Sequence, residues 1–356
     1  MILAVCGLLL PTLGSAKDPP GRPQNGHHQT PFPEFIPLDA SPEGVAVDKV
    51  GNVFVSIGGS TGPGGAILKF TPSGKKSVLV DFGTPGALGL AVDADGDVYV
   101  ARPVVAGSGV PDNGVYRVDR HGRAFRLPGT EQIVLPNALA FDHRGNLYVT
   151  ETYSFDPPLV FPAGFGRGGL WCIPKRGPAE LLLRDDLLTG LAPVLFPFPV
   201  GANGIAFYHG DLYVINTDKA LVVRVPVRHN GRLGTPEVWK QVADVPESVF
   251  YKNPYIPLML DGLAFDVQGN IYIDVPSREA IVRINADDLS QETIAVYPDS
   301  PLLDAPVSMA FGTGKEERES LFITNLGISG TVAPGLPWAG PGLLKIEVGI
   351  PGLPLP

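Results

Sequence analysis

The stretch DGLAFDVQGNIYI, Asp261 to Ile273, is one of six near-copies of a single unit in the chain. The others are EGVAVDKVGNVFV from Glu43, LGLAVDADGDVYV from Leu88, NALAFDHRGNLYV from Asn137, NGIAFYHGDLYV from Asn203 and a shorter VSMAF from Val307. Their first positions, 43, 88, 137, 203, 261 and 307, are 45, 49, 66, 58 and 46 residues apart. Periods of that size mark one supersecondary unit repeated along a chain. Each copy reads as a short strand A, a turn containing Gly and a second strand B. In the fullest copy a strand C (AIVRIN) and a strand D (ETIAVY) follow. These segments are rich in Val, Ile, Leu, Tyr and Phe and are bounded by Gly, Asn and Asp, as short strands are. No comparable window has a helical period, and 44 Gly with 38 Pro suit strands joined by many turns. The expected fold is all-β: a six-bladed β-propeller of four-stranded antiparallel blades, strand A innermost. The sixth copy lacks a strand D, since only the Pro-rich GIPGLPLP follows its strand C. The segment Glu34–Asp39, EFIPLD, is expected to supply it by pairing with Leu343–Val348, which closes the ring and hides an edge strand.

Within the repeat one position varies while its neighbours hold. It is Glu43, Leu88, Asn137, Asn203, Asp261 and Val307 in the six copies. Strand A lines the channel of a propeller, so the six slots are expected to converge on one mouth of it. Turn preference accounts for any single Asn or Asp. It does not account for four polar slots set against two wholly apolar ones. Glu43, Asn137, Asn203 and Asp261 form a hard, oxygen-only donor set with two negative charges. Such a set suits Ca²⁺ at about 2.3 to 2.6 Å, with waters completing its shell, whereas zinc favours His or Cys.

The repeat and the slot pattern resemble the superfamily of senescence marker protein, gluconolactonase and paraoxonase, six-bladed calcium-dependent hydrolases. The resemblance runs from about Glu34 to Val348. The repeat alone is shared with NHL-type binding propellers; the order Glu, Asn, Asn, Asp over blades one, three, four and five is more specific. It implies that Glu43, Asn137, Asn203 and Asp261 hold one catalytic divalent ion, and that Asp261 is also general base or nucleophile. The implied activity is opening of a lactone or aryl ester, with phosphotriester hydrolysis a variant of the same chemistry. Two alternatives stand beside it: a metal-free enzyme like strictosidine synthase, and a non-catalytic ligand-binding propeller with a structural calcium.

Of six histidines, His27 and His28 lie near the N-terminus, while His121, His143, His209 and His229 fall in turns at the end of the strands opposite the slots. A histidine base of the paraoxonase kind is therefore not expected. Loops on the slot face are expected to form the substrate pocket. They carry Arg102, Glu151, Tyr153, Asn216 and Trp338 as candidate substrate contacts, with Phe196, Phe198, Phe250 and Tyr251 nearby. That collection is more aromatic than charged and fits an apolar or aromatic ester or lactone.

The net charge of −9 argues against nucleic acid or an anionic membrane as partner. No stretch reaches the roughly 18 apolar residues of a membrane span. Residues 1–16, ending in GSA, read as a cleaved signal peptide and 17–33 as a Pro-rich flexible arm, leaving 34–356 as one propeller domain. A monomer outside the cytoplasm, secreted or periplasmic, is expected. Loss of Cys6 with the leader leaves Cys172 alone, so no internal disulfide is expected.

Overall fold

Each repeat folds as one four-stranded antiparallel sheet in the computed structural model of the chain, which describes residues 32–58, 64–84, 86–103, 112–155, 165–191 and 198–355. The expected leader, the arm up to residue 31, and Phe196 lie outside the described residues. After β1 (Phe35–Pro37), blade one is β2 (Pro42–Val47), β3 (Val53–Ile57), β4 (Ala66–Phe70) and β5 (Lys76–Asp81). Blade two is β6 (Leu90–Val92), β7 (Val98–Arg102), β8 (Gly114–Val118) and β9 (Ala124–Arg126). Blade three is β10 (Pro136–Phe141), β11 (Leu147–Glu151), β12 (Gly169–Ile173) and β13 (Glu180–Arg184). Blade four is β14 (Ala202–Tyr208), β15 (Asp211–Asn216), β16 (Leu221–Pro226) and β17 (Glu237–Gln241). Blade five is β18 (Leu263–Phe265), β19 (Ile271–Val275), β20 (Ala280–Ile284) and β21 (Gln291–Val296). Blade six takes β22 (Pro306–Phe311), β23 (Ser320–Asn325) and β24 (Gly342–Glu347) from the end of the chain and β1 from its start. Among the described residues the one α-helix is a single turn, α1 (Ser329–Val332).

The core lies between neighbouring blades. Ile215 and Val222 of blade four, for example, pack with Ile273 and Val282 of blade five, all four fully buried. Outer strands leave Val78, Phe125 and Val238 exposed, which fits a sheet covered on its inner part only. At the centre the inner strands approach so closely that the residue after the slot must be small. A Cβ on Gly89 would lie 2.4 Å from the Asn137 carbonyl oxygen, and one on Gly204 would lie 2.4 Å from that of Asp261. This crowding explains why the slot is followed by Gly, Gly, Ala, Gly, Gly and Ser around the ring.

The ring closes as expected. Phe35 pairs with Leu344, Ile36 with Leu343 and Pro37 with Gly342, antiparallel. Phe32, expected in the flexible arm, is instead a core residue. It is buried between Phe70 of blade one and Phe322 of blade six, with ring centroids 6.4 and 4.9 Å away. The Pro-rich tail forms no blade strand but crosses the far face, where Val267 N–H donates to Pro351 O and Leu353 N–H to Phe265 O.

Candidate functional site

The pairing of strands A and B slips in register at the slot in four blades, between Pro42 and Val45, Pro136 and Leu139, Ala202 and Ile205, and Pro306 and Ser308. A bulge re-aims a side chain that a regular strand would send into the sheet. These four slots, together with Leu88 and Asp261, which precede β6 and β18, line one cavity of about 560 Å³ on the face where strands A begin. A narrower channel of about 80 Å³ runs along the inner strands, lined by the four polar slots with Val45, Leu139, Ile205, Leu263 and Met309.

The four polar slots are oriented by their neighbours. Asn137 Nδ2 donates to Thr152 Oγ1 and Asn203 Nδ2 to Thr217 Oγ1, each at 3.0 Å. Each amide nitrogen is thus held by a threonine hydroxyl, and Asn203 also donates to the Asp261 carboxyl in the metal-free protein. Glu43 and Asp261 complete the set. Burial pushes the Glu43 carboxyl up to about 7. The Asp261 carboxyl is held well above the usual carboxylate range by burial first, then by the negative charges of Glu43 and Asp274, with an Asn203 hydrogen bond opposing. Two acids raised by burial, one of them also by the other's charge, beside two amides, fit a hard divalent cation, which would relieve the repulsion. Among the described residues no group of three or more His, Cys, Asp or Glu side chains gathers as a metal site; this one is two acids and two amides.

Behind the slots a second ring is formed by Ser56, Ala101, Thr150, Ile215, Asp274 and Thr324, the strand-B residues one step past the partner of slot plus two. Hydroxyls here latch one blade to the next. Ser56 Oγ donates to Leu88 O (2.6 Å), Thr150 Oγ1 to Asn203 O (2.7 Å) and Thr324 Oγ1 to Glu43 O (2.5 Å). Blades two and four join their neighbours directly instead, Gly89 N–H to Asn137 O (2.9 Å) and Gly204 N–H to Asp261 O (3.2 Å). Asp274 is fully buried, and neither carboxyl oxygen has a partner of good geometry. Burial raises its pKa well above the usual range, against a weaker pull from the Gly262 N–H.

The five candidate substrate contacts do not line the cavity. Arg102 is buried in an ion pair with Asp112 (2.8 Å), donates to Thr84 Oγ1 and lies over the Phe82 ring. Glu151 accepts from Trp171 Nε1 and Val134 N–H, both at 2.7 Å, and pairs with Arg184 at 2.8 Å. Asn216 donates to Leu187 O and Thr189 O. These three sit at the ends of successive B strands and brace the loops beside them. Tyr153 and Trp338 stand one layer back: Tyr153 packs on Phe198 (5.5 Å), and Trp338 stacks on Phe250 (6.1 Å). Phe198 and Phe250 themselves line the cavity. Tyr251 is partly exposed beside Lys252. None of His121, His143, His209 and His229 lines the cavity; they occupy A–B and C–D turns.

Two groups at this face were not singled out from the sequence. Asp274 could have been flagged as the one acid inside the apolar strand IYIDV. Glu279, which lines the cavity, is pushed up to about 7 by burial first and by the Asp304 charge, with hydrogen bonds from Ser329 and Ala305 opposing. Its sequence signal is weaker, a polar SRE after a strand, which also suits an ordinary solvated turn.

Fold and site together define a six-bladed β-propeller with two acids and two amides gathered at one mouth of its central channel. Among solved structures, the chain is similar to a luciferin-regenerating enzyme (TM-score 0.62, 15% identity, covering 89% of this chain and 94% of that one). It is also similar to a calcium-binding protein, regucalcin, from Agrobacterium tumefaciens (0.60, 19%, 92% and 97%), and to a gluconolactonase from Xanthomonas campestris (0.58, 18%, 88% and 86%). At these identities the likeness is one of fold. No protein-family model matches the chain, and no curated protein sequence matches it.

Proposed function

We propose that the protein is a divalent-metal-dependent hydrolase of the lactonase or esterase type. The observation that carries this reading is the convergence of Glu43, Asn137, Asn203 and Asp261 on the floor of one 560 Å³ cavity. Glu43, Asp261 and the oxygens of Asn137 and Asn203 would hold a Ca²⁺ ion. When bound, it supplies a Lewis acid for the substrate carbonyl and neutralises the two acids. Thr152 and Thr217 each hold one amide nitrogen, which restrains the rotamers from which the amide oxygens would meet the ion. Asp261 takes a proton at a carboxylate oxygen from the attacking water. The water oxygen bonds to the carbonyl carbon, the ester C–O bond breaks, and the proton passes to the leaving oxygen, giving an acid and an alcohol from an ester or one hydroxy acid from a lactone. The fold is shared with a protein described as a gluconolactonase and another described as calcium-binding, which supports the reading.

The test is a panel of lactones, aryl esters and phosphotriesters assayed with EDTA and with added Ca²⁺. Turnover of at least one ester or lactone is expected, lost with EDTA and restored by the ion. No turnover in saturating Ca²⁺, or turnover indifferent to EDTA, would sink the reading.

A further inference from the structure

One side of the cavity is walled by two loops, residues 243–260 between blades four and five and residues 326–341 between β23 and β24. A single turn after β19 holds both. Ser277 Oγ accepts the Met259 N–H (2.8 Å). Arg278, buried, grips Asp244 with two nitrogens (2.5 and 3.1 Å) and donates to Ile256 O (3.1 Å). Glu279, at φ 50, accepts the Ala305 N–H at Oε2 (2.5 Å) and the Ser329 hydroxyl at Oε1. Asp304 completes the seat: Oδ1 accepts the Ser329 N–H (3.0 Å) and Oδ2 the Gly340 N–H (2.8 Å).

These buried polar anchors present an apolar surface. Phe250, Ile256 and Met259 from the first loop and Ile328 and Val332 from the second line the cavity. Ile328 is 41% and Val332 55% exposed, although Ser329 between them is 2% exposed and bonded on both its N–H and its hydroxyl. A loop anchored that firmly does not leave two large aliphatic side chains in water for want of a way to turn them in. Charge points the same way. The cavity is lined by Asp39, Glu43, Asp261 and Glu279 and, among the described residues, by no Lys, Arg or His.

We propose that the blade-six loop, seated by Glu279 and Asp304, is the specificity-determining wall of this cavity and receives an uncharged, apolar acyl or aryl group of the substrate. The kinetic half of the inference rests on the hydrolase reading; the binding half does not. Two measurements therefore test it on the full chain. The first is binding of the neutral apolar fluorophore N-phenyl-1-naphthylamine. The second is the ratio of kcat/KM for p-nitrophenyl hexanoate to that for the acetate. Val332→Asp, at a position more than half exposed, is expected to keep the wild-type Tm, weaken the fluorophore at least tenfold and lower the ratio at least tenfold. Ser329→Ala, which removes the loop's hydroxyl anchor to Glu279, is expected to lower both at least threefold. A wild-type protein that does not bind the fluorophore, or variants that leave binding and ratio unmoved, overturns the proposal. Loss of fluorophore binding in the variants of a protein that hydrolyses no ester keeps the wall and removes the hydrolase.

Discussion

The paired acids make the metal-free protein sensitive to pH in a direction opposite to that of a salt-bridged carboxylate. Glu43 has a folded pKa of about 7 against an ordinary value of 4.5. Because the folded value is the higher one, the stability associated with the protonated form is complete below about pH 4.5 and is lost as pH rises through about 7. That difference corresponds to at most about 3 kcal/mol at pH 8, since water reaching Glu43 from the cavity screens part of it. Asp261 shifts in the same direction and adds to the loss. With about 2.1 cal/mol/K of unfolding entropy per residue, 3 kcal/mol in a chain of this length is about 4 °C in Tm. Thermal melts at pH 5 and pH 8 in EDTA are therefore expected to show a drop of that order. The double variant Glu43→Gln/Asp261→Asn is expected to lose it, and saturating Ca²⁺ to abolish it, by neutralising both charges. Equal pH-dependent losses in the chelated wild type and the double variant would refute the idea that the two carboxyls are buried against each other.

Asp261→Asn keeps an oxygen of the same size and is expected to fold, to bind Ca²⁺ more weakly, and to lose turnover by at least about 10²-fold in saturating ion, as for loss of a positioned base; steady-state kinetics checks this. Replacing His121, His143, His209 or His229 by Gln is expected to change turnover less than about threefold in the same assay, because those turns lie away from the cavity. Gly204→Ala places a Cβ 2.4 Å from Asp261 O, and a destabilisation of roughly 1–3 kcal/mol in denaturant melts is expected from the overpacking. Deleting residues 34–40 is expected to abolish the folded state by circular dichroism, whereas deleting 17–31 is expected to leave Tm nearly unchanged.

The blades, their strand order and the ring closure were legible because a period-two strand pattern recurs six times, and the convergence of the slots on one cavity was legible because they stand out against near-constant neighbours. The pocket walls were not. Arg102, Glu151 and Asn216 look like ligand contacts among the loop residues, but each end of a B strand leaves loop groups that need partners: Glu151 and Asn216 bond loop backbone, and Arg102 ties the Thr84 and Asp112 side chains. Polar residues near a site serve the backbone as readily as a substrate, and only the fold distinguishes the two. The Ser277–Glu279 turn escaped for the converse reason. Its partners Asp244, Ala305 and Ser329 lie 26 to 50 residues away, beyond any local pattern.

Blade six, assembled from both ends of the chain, has a consequence for biosynthesis. At about 5 to 20 residues per second, β1 leaves the ribosome some 15 to 60 s before β24, its partner, is made. During that interval it is a strand without a sheet, and the growing propeller is an open arc. A long apolar β1 would be free to recruit another nascent chain along its edge. Instead it is three residues long, follows Pro33 and ends at Pro37, too short and too poor in donors to template a foreign strand. The clasp is weak in isolation so that it fastens only to the one edge that arrives last.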